Sequence, residues 1–227
     1  MCGRFTLRTS ISELMQQFLP GVEPAATLEF TPRYNIAPTQ AVLCVVQTDV
    51  GIPREARWLT WGLVPSWATD PAIGNRMINA RGESVAEKPS FRAAFKQRRC
   101  LVLADGYYEW KKLDDGKKQP MLIERRDGRP FGMAGLWERN TRIDPQAALE
   151  TCTIITASSS GQLGAIHDRA PVILEPREHA RWLDPGFRDA SALQAMLHPA
   201  DDDRFSARPV STRVNNPRNE GPQCVSG

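Results

Sequence analysis

Cys152-Thr153-Ile154-Ile155-Thr156-Ala157 is short, apolar and β-branched, and it stops against Ser158-Ser159-Ser160-Gly161. Those features read as a strand closed by a turn, because branched side chains pack well on a pleated surface while Ser and Gly break the run. Four further stretches have the same character, at 41–47, 101–104, 121–124 and 171–174, each bounded by Gly, Pro, Asp or Ser. Helical signals are fewer and shorter. Ser10 with Glu13 has capping-box spacing, followed by an apolar face of Leu14, Phe18 and Leu19. Ser90 is placed to cap a second helix running to Gln97, with Phe91 and Phe95 packing inward at i, i+4. Two more helices are expected near 178–183 and 191–197. Eighteen prolines and sixteen glycines imply much irregular loop between these elements. The expected fold is α+β: a single compact domain around a curved, mostly antiparallel sheet with a few short helices.

The chain has 227 residues, enough for one well-buried core or at most two small domains. No repeat, low-complexity tract or long linker divides it, so one domain is expected over 1–222 with a short tail at 223–227. Its 24% charged and 41% apolar residues are ordinary for a globular protein. A net charge of +3 is no nucleic-acid signature by itself, although a basic groove can hide within such a total. The five cysteines (Cys2, Cys44, Cys100, Cys152, Cys224) are scattered, odd in number and lack C-x-x-C spacing, and only three histidines accompany them. A reduced, cytoplasmic protein with no metal and no cofactor is the expectation. No apolar run approaches a membrane span, and the amino terminus lacks the apolar stretch of a signal peptide.

The amino terminus carries the first chemistry. In Met1-Cys2-Gly3-Arg4-Phe5, loss of Met1 would leave Cys2 with an α-amine and a thiol on adjacent carbons. Their ordinary pKa values are roughly 7.7–8.0 and about 8.5, so both are partly unprotonated near neutrality. An aldehyde can form an imine with the amine and then close onto the thiol as a five-membered thiazolidine, which no internal cysteine can do. The plain alternative is that Cys2 is a small buried apolar side chain at the start of a strand.

Five polar, loop-like segments could supply partners. They are Arg33-Tyr34-Asn35-Ile36-Ala37-Pro38; the stretch 58–67 with Trp58, Trp61 and Trp67; Ile78-Asn79-Ala80-Arg81; Ala104-Asp105-Gly106-Tyr107-Tyr108-Glu109-Trp110-Lys111; and Ile166-His167-Asp168-Arg169-Ala170-Pro171. Glu109 lies between Tyr108 and Trp110, where partial desolvation would suit a general acid–base, or it is a solvated carboxylate paired with Lys111 or Lys112. His167 is a proton shuttle or a capping histidine, and Asn79 a ligand-orienting amide or a turn residue. Arg4, Arg33, Arg57, Arg76, Arg81 and Arg169 lie in or beside these segments. Interleaved with tryptophan, they suit a single-stranded nucleic-acid groove, or they are surface charges and core anchors.

Taken in order, Met1-Cys2-Gly3-Arg4-Phe5, the Arg33–Pro38, Ile78–Arg81 and Ala104–Trp110 segments, His167-Asp168-Arg169, and Val210-Ser211 with Val214-Asn215-Asn216-Pro217-Arg218-Asn219-Glu220-Gly221 resemble the SOS response-associated peptidase (SRAP) family, the abasic-site processing proteins. The resemblance runs from residue 1 to about 222. It implies self-removal of Met1, a compact β-rich fold, and a positively charged groove for single-stranded DNA. It further implies capture of the ring-opened aldehyde of an abasic site by Cys2 as a thiazolidine DNA–protein crosslink that shields the lesion. On that basis Cys2, Asn79, Glu109 and His167 are the expected catalytic residues. Arg4, Arg33, Asn35, Pro38, Trp67, Arg81 and Arg169 are the expected DNA-binding residues, with Arg4 and Arg81 also favouring the thiolate. The partner would be single-stranded DNA containing abasic sites, the chain a monomer, and its location the cytoplasm, at the nucleoid when bound to DNA.

Two positions depart from the family pattern: Ala68 where some members carry a second aromatic after Trp67, and Ala170 where methionine is common. Two other readings stay open from sequence. An amino-terminal-nucleophile amidohydrolase also begins Met-Cys-Gly, and a non-catalytic single-strand binder would use Cys2 only structurally.

Overall fold

The computed structural model describes residues 2–22 and 28–227. Among them are thirteen strands: β1 (Phe5–Leu7), β2 (Arg33–Ile36), β3 (Ala41–Val46), β4 (Glu55–Trp61), β5 (Asn79–Arg81), β6 (Arg99–Ala104), β7 (Gly106–Lys112), β8 (Lys118–Arg125), β9 (Phe131–Asn140), β10 (Leu149–Ser158), β11 (Arg169–Pro171), β12 (Ile173–Leu174) and β13 (Phe205–Pro209). The expected α+β architecture is present, and the larger sheet goes further than a curve. Pairings β3–β4, β4–β10, β10–β9, β9–β6 and β6–β3 close five strands into a barrel. Only the edges that β10 shares with β4 and β5 are parallel. Closure removes the unpaired sheet edges that would otherwise template aggregation.

Three cysteines converge inside this barrel. The Cys44 thiol lies within hydrogen-bonding reach of those of Cys100 and Cys152, and burial pushes the Cys44 and Cys100 pKa values up. Gly135 makes room for them, since a Cβ there would stand 2.8 Å from the Cys100 sulfur. All five cysteines are unbridged and buried, as small apolar side chains.

The second sheet, in the order β13–β8–β7–β1–β2, packs one face on the barrel. Phe5 meets Trp61 edge-on at 5.2 Å, and Phe131 meets Phe205 at 5.8 Å. The other face is covered by the carboxy-terminal strap at 210–225, where Tyr108, Leu122, Val210, Val214 and Cys224 form a small separate core. The boundary expected at 222 therefore does not end the packed chain. Cys224 is buried, and the Ser211 N–H donates to the Ser226 carbonyl at 2.8 Å.

Helix α1 (Ile11–Phe18) carries the expected reciprocal capping box of Ser10 and Glu13, and buries Leu14, Met15 and Phe18. Ser90 does not cap α2 (Arg92–Gln97). The Lys88 carbonyl takes the N–H groups of Phe91 and Arg92, so the helix grows from a turn without a side-chain cap. A four-residue helix α3 (Gly161–Gly164) leads toward His167, and α4 (Pro176–Leu183) has its own capping box of Glu175 and Glu178. Helix α5 (Ala190–Ala195) starts one residue before the expected segment, because Asp189 accepts the Ala192 N–H. Under α4 lies Arg99, fully buried with no carboxylate on its guanidinium among the described residues, donating instead to the carbonyls of Trp182, Phe95, Asp184 and Phe187.

Most of the segments read as loops are strands. Arg33–Ile36, Asn79–Arg81 and Gly106–Lys112 are β2, β5 and β7, and Trp58 and Trp61 belong to β4. Their polar residues sit at sheet ends and in short strands, where alternation is too brief to register as a pattern.

Candidate active site

The site forms where the second sheet meets the barrel, and β1 brings the amino terminus there. Phe5 pairs with Tyr107 and Thr6 with Gly106, and the same register carried outward sets Gly3 against Glu109. Asp105 fixes this alignment, accepting the backbone N–H of Arg8 and Thr9 and the side chain of Thr6. From the barrel side comes Asn79. At Gly62 the chain leaves β10, donating to the Cys152 carbonyl at 2.8 Å. It returns to the same edge as β5, where Ile154 donates to the Ile78 carbonyl at 3.1 Å. The intervening loop closes on a glycine pair. Gly62, at φ 130°, has Gly74 so near that a Cβ would stand 2.8 Å from the Gly74 oxygen.

Asn79 Nδ2 donates to the Cys2 carbonyl at 2.7 Å. Its Oδ1 is buried with no hydrogen-bond partner among the described residues. Cys2 is 0% exposed, and burial first, then the Glu109 carboxylate, push its thiol pKa up. The expectation that the Arg4 guanidinium would favour a thiolate is thus overturned. The Arg4 backbone N–H does help the thiolate, but its guanidinium points to the other face of β1, donating to Asn35 Oδ1 and the Val214 carbonyl at 2.7 Å each.

Glu109 is 3% exposed on β7, and burial pushes its carboxyl up to about 7. Such a group can take or give a proton at neutral pH. Tyr107, two residues along the same face, feels both Cys2 and Glu109. Burial first and then these two charges push its phenol up. His167 lies just past α3, with its side chain 30% exposed and its Nδ1 3.0 Å from the Arg169 backbone N–H. Nδ1 is also 2.9 Å from Asp168 Oδ1. The first contact needs a lone pair on Nδ1 and the second a proton. Burial lowers the His167 pKa, so the neutral ring accepting from the amide is favoured at pH 7, with its proton on Nε2. Cys2, Asn79 and Glu109 are therefore assembled, and the neighbouring Asp168 charge acts on both Glu109 and His167.

The residues expected to bind DNA divide into two groups. Trp67 is 51% exposed and Arg81 is exposed, with Pro38 partly so. Trp67 projects because Asn140 Nδ2 holds the carbonyls of Pro65 and Ala68 at 2.7 and 2.9 Å. Ala68 itself is buried, so a larger aromatic there would not extend the exposed face. The other group is engaged internally. Asn35 is buried and donates to the carbonyls of Asn216 and Asn219, which ties down the strap. Arg169 grips Glu83 with both ends of its guanidinium at 2.6 and 3.0 Å, and Glu83 is held at about 2, chiefly by that hydrogen bond. Arg33 is shared between Glu220 and Gln40. Arg57 pairs with Glu150 and Glu55, whereas Arg76, shortly before Asn79 in the chain, is exposed with no ion pair among the described residues.

A groove of about 530 Å³ lined by Gln16, Gln17, Arg129 and Pro130 contains none of Cys2, Asn79, Glu109 or His167. The described residues hold no cluster of His, Cys, Asp and Glu able to bind a metal, and no helix long and apolar enough to cross a membrane.

Residues 1–217 match the family model for SOS response associated peptidase (SRAP). The chain belongs to the SRAP family. It is 42% identical over 228 residues to the abasic site processing protein YoqW of Bacillus subtilis (strain 168), covering 99% of both chains. It is 33% identical to the abasic site processing protein YedK of Escherichia coli (strain K12), again over 99% of each. With the abasic site processing protein HMCES of Xenopus tropicalis the identity is 34%, over 87% of this chain and 67% of that one. Among solved structures, the fold matches a protein from Bacteroides thetaiotaomicron with a TM-score of 0.86 at 24% identity, covering 99% of this chain and 98% of that one. A phage-related protein from Bordetella bronchiseptica matches with a TM-score of 0.73 at 28% identity, over 92% and 94%. This SRAP fold therefore presents Cys2, Asn79 and Glu109 together at the junction of its barrel and sheet. Sequence reading passed over two neighbours of that cluster, Tyr107 and Lys118, whose charge reaches His167. The first was legible by alternation from Glu109.

Proposed function

We propose that this chain processes abasic sites in single-stranded DNA by covalent capture on Cys2. The observation that carries the reading is the convergence on Cys2 of Asn79, at 2.7 Å from its carbonyl, and of a buried carboxyl poised near pH 7. Membership of a family whose relatives are named abasic site processing proteins supports it.

The chemistry follows from those groups. Once Met1 is gone, Asn79 Oδ1 has a hydrogen-bonding capacity to offer the Cys2 α-amine. The amine nitrogen adds to the aldehyde carbon of the ring-opened deoxyribose and passes a proton to Glu109. Glu109 returns it to the carbinolamine hydroxyl, which leaves as water and gives the imine. A protonated thiol suits the last step. Its sulfur bonds to the imine carbon while its proton ends on the nitrogen, closing the thiazolidine with a net loss of one water. His167, with its neutral ring, serves ring opening of the sugar or holds its 3′ phosphate. Each such proton-transfer role is worth about 10²–10⁴-fold in rate. Removal of Met1 is assigned to the same nucleophile, by hydrolysis of the Met1–Cys2 bond.

Trp67 stacks a base, Pro38 lines the approach, and Arg81 with Arg76 meets phosphates, in this reading. Arg4, Arg33 and Arg169 serve the strand by holding the frame around it and by their charge, and the neutral Asn35 by holding the frame alone. The test is a denaturing gel of the protein with a strand carrying one abasic site, beside Cys2→Ala and an undamaged strand. A heat-stable shifted band that requires both Cys2 and the lesion is the expected result. Strand binding with no covalent band, from protein of verified Cys2 terminus, would leave only the binding module.

A further inference from the structure

The β7–β8 hairpin reaches beyond the sheet that carries it. Strand β1 accompanies β7 through Tyr108, whose N–H donates to the Arg4 carbonyl, and the chain leaving β13 accompanies β8 as far as Gln119, whose Nε2 donates to the Val210 carbonyl at 2.9 Å. Beyond Gln119 the end of the hairpin projects, with Lys112 opposite Lys118, to a turn at Gly116. Lys112 and Lys118 are directly opposed on one face. Like charges so placed repel, and a hairpin gains nothing internally from them. Among the described residues neither has an ion pair, nor does Lys111, and Lys117 has only its own turn partner Asp115, at 3.1 Å and well exposed.

The arm also has a direction. It is the outward continuation of the strand that carries Glu109, and Lys112 shares the face of β7 that carries Trp110. The Trp110 ring lies under the Arg4 guanidinium, at 5.9 Å. Lys118 lies near enough to His167 for its charge to act on the imidazole. Cationic side chains thus line the Trp110 face of a ribbon that runs outward from Glu109, which stands on the opposite face of β7, and Lys118 among them reaches His167. A polyanion running out of the site would satisfy them.

We propose that the β7–β8 hairpin is a phosphate-binding arm that grips the DNA backbone flanking the captured nucleotide, through Lys112 and Lys118. The inference rests on the proposed function for its ligand but makes its own prediction, about binding rather than bond formation. Each phosphate contact made by a lysine releases condensed counterions from the strand. Losing one lowers the slope of log affinity against log salt by about 0.7 for a single strand.

The experiment compares the full chain with K112Q/K118Q and, as a control elsewhere on the surface, K96Q. Anisotropy of a fluorescein-labelled single strand, with no abasic site, is read from 50 to 200 mM salt. The double variant should bind several-fold more weakly and lose about 1.4 from the salt slope. K96Q should match the parent in both. The melting temperature of the double variant should be unchanged or higher, since a like-charge pair has been removed. On abasic DNA the double variant should need more strand for half-maximal crosslinking but reach the same rate at saturation. Unchanged affinity and slope in K112Q/K118Q would overturn the arm while leaving Cys2 capture standing. An arm-dependent slope with no crosslink from the parent protein would keep the arm and remove the capture reading.

Discussion

Replacing Glu109 by glutamine should make the protein more stable and much less active at the same time. The carboxyl is 3% exposed and is raised from an ordinary 4.5 to about 7 by burial. A carboxyl with a higher pKa when folded holds its proton more tightly in the folded state. Its stabilising contribution is therefore complete below about pH 4.5 and is lost as pH rises through 7. At 1.36 kcal/mol for each tenfold, ionising it at pH 8 costs the folded chain about 3 kcal/mol. Glutamine keeps the shape without the charge, so Glu109→Gln escapes that cost. For a chain of this size the difference corresponds to roughly 6–12 °C in melting temperature at pH 8, shrinking to about a quarter of that by pH 5. Differential scanning calorimetry across pH 5–8 measures it. Over the same series, crosslinking to abasic single strands should fall by about 10²–10⁴-fold, because the amide carries no proton back to the leaving hydroxyl. Melting curves of parent and variant that run parallel from pH 5 to 8 would refute the raised carboxyl. Crosslinking within a few-fold of the parent would refute its role.

Asn79→Ala removes the bond to the Cys2 carbonyl and should slow crosslinking by about 10–100-fold while strand affinity measured by anisotropy stays near the parent, since the residue orients rather than binds. His167→Gln should slow capture by about 10²-fold at pH 7.5, in single-turnover assays. That loss should shrink as pH falls below the ordinary imidazole range, where the parent ring also becomes protonated; its lowered pKa sets the direction. Arg99→Met leaves the buried carbonyls of Trp182, Phe95, Asp184 and Phe187 without their donor and should destabilise the fold by about 2–4 kcal/mol in urea titrations, with crosslinking by the folded fraction intact.

What could be read from the sequence was what short-range physics writes into it. The capping box of Ser10 and Glu13 and the apolar runs of β3, β6, β8 and β10 depend on neighbours a few residues apart, and they stand where expected. Closure of the barrel does not, because it depends on the parallel meeting of Thr60 and Trp61 with Thr151 and Cys152, some 90 residues apart. Strands β2, β5 and β7 were hidden by their polar residues, which in three dimensions either enter the site or hold the strap. Among the candidate site residues, type and order pointed to Cys2, Asn79 and Glu109, and the fold brings them together. The same cues could not separate an arginine aimed at solvent from one spent inside. Arg169 and Arg4 read like Arg81, yet Glu83 occupies the first and the carboxy-terminal strap the second. Only the tertiary positions of Glu83 and Val214 make that distinction.

The central claim is a covalent bond from the amino-terminal Cys2 to the lesion, and peptide mapping of the crosslinked product tests it most directly. After nuclease and trypsin digestion, the account predicts the peptide Cys2-Gly3-Arg4 carrying the sugar-phosphate remnant less one water, with its thiol closed to alkylation. A remnant on any lysine, or a Cys2 peptide recovered unmodified from the shifted band, would contradict it.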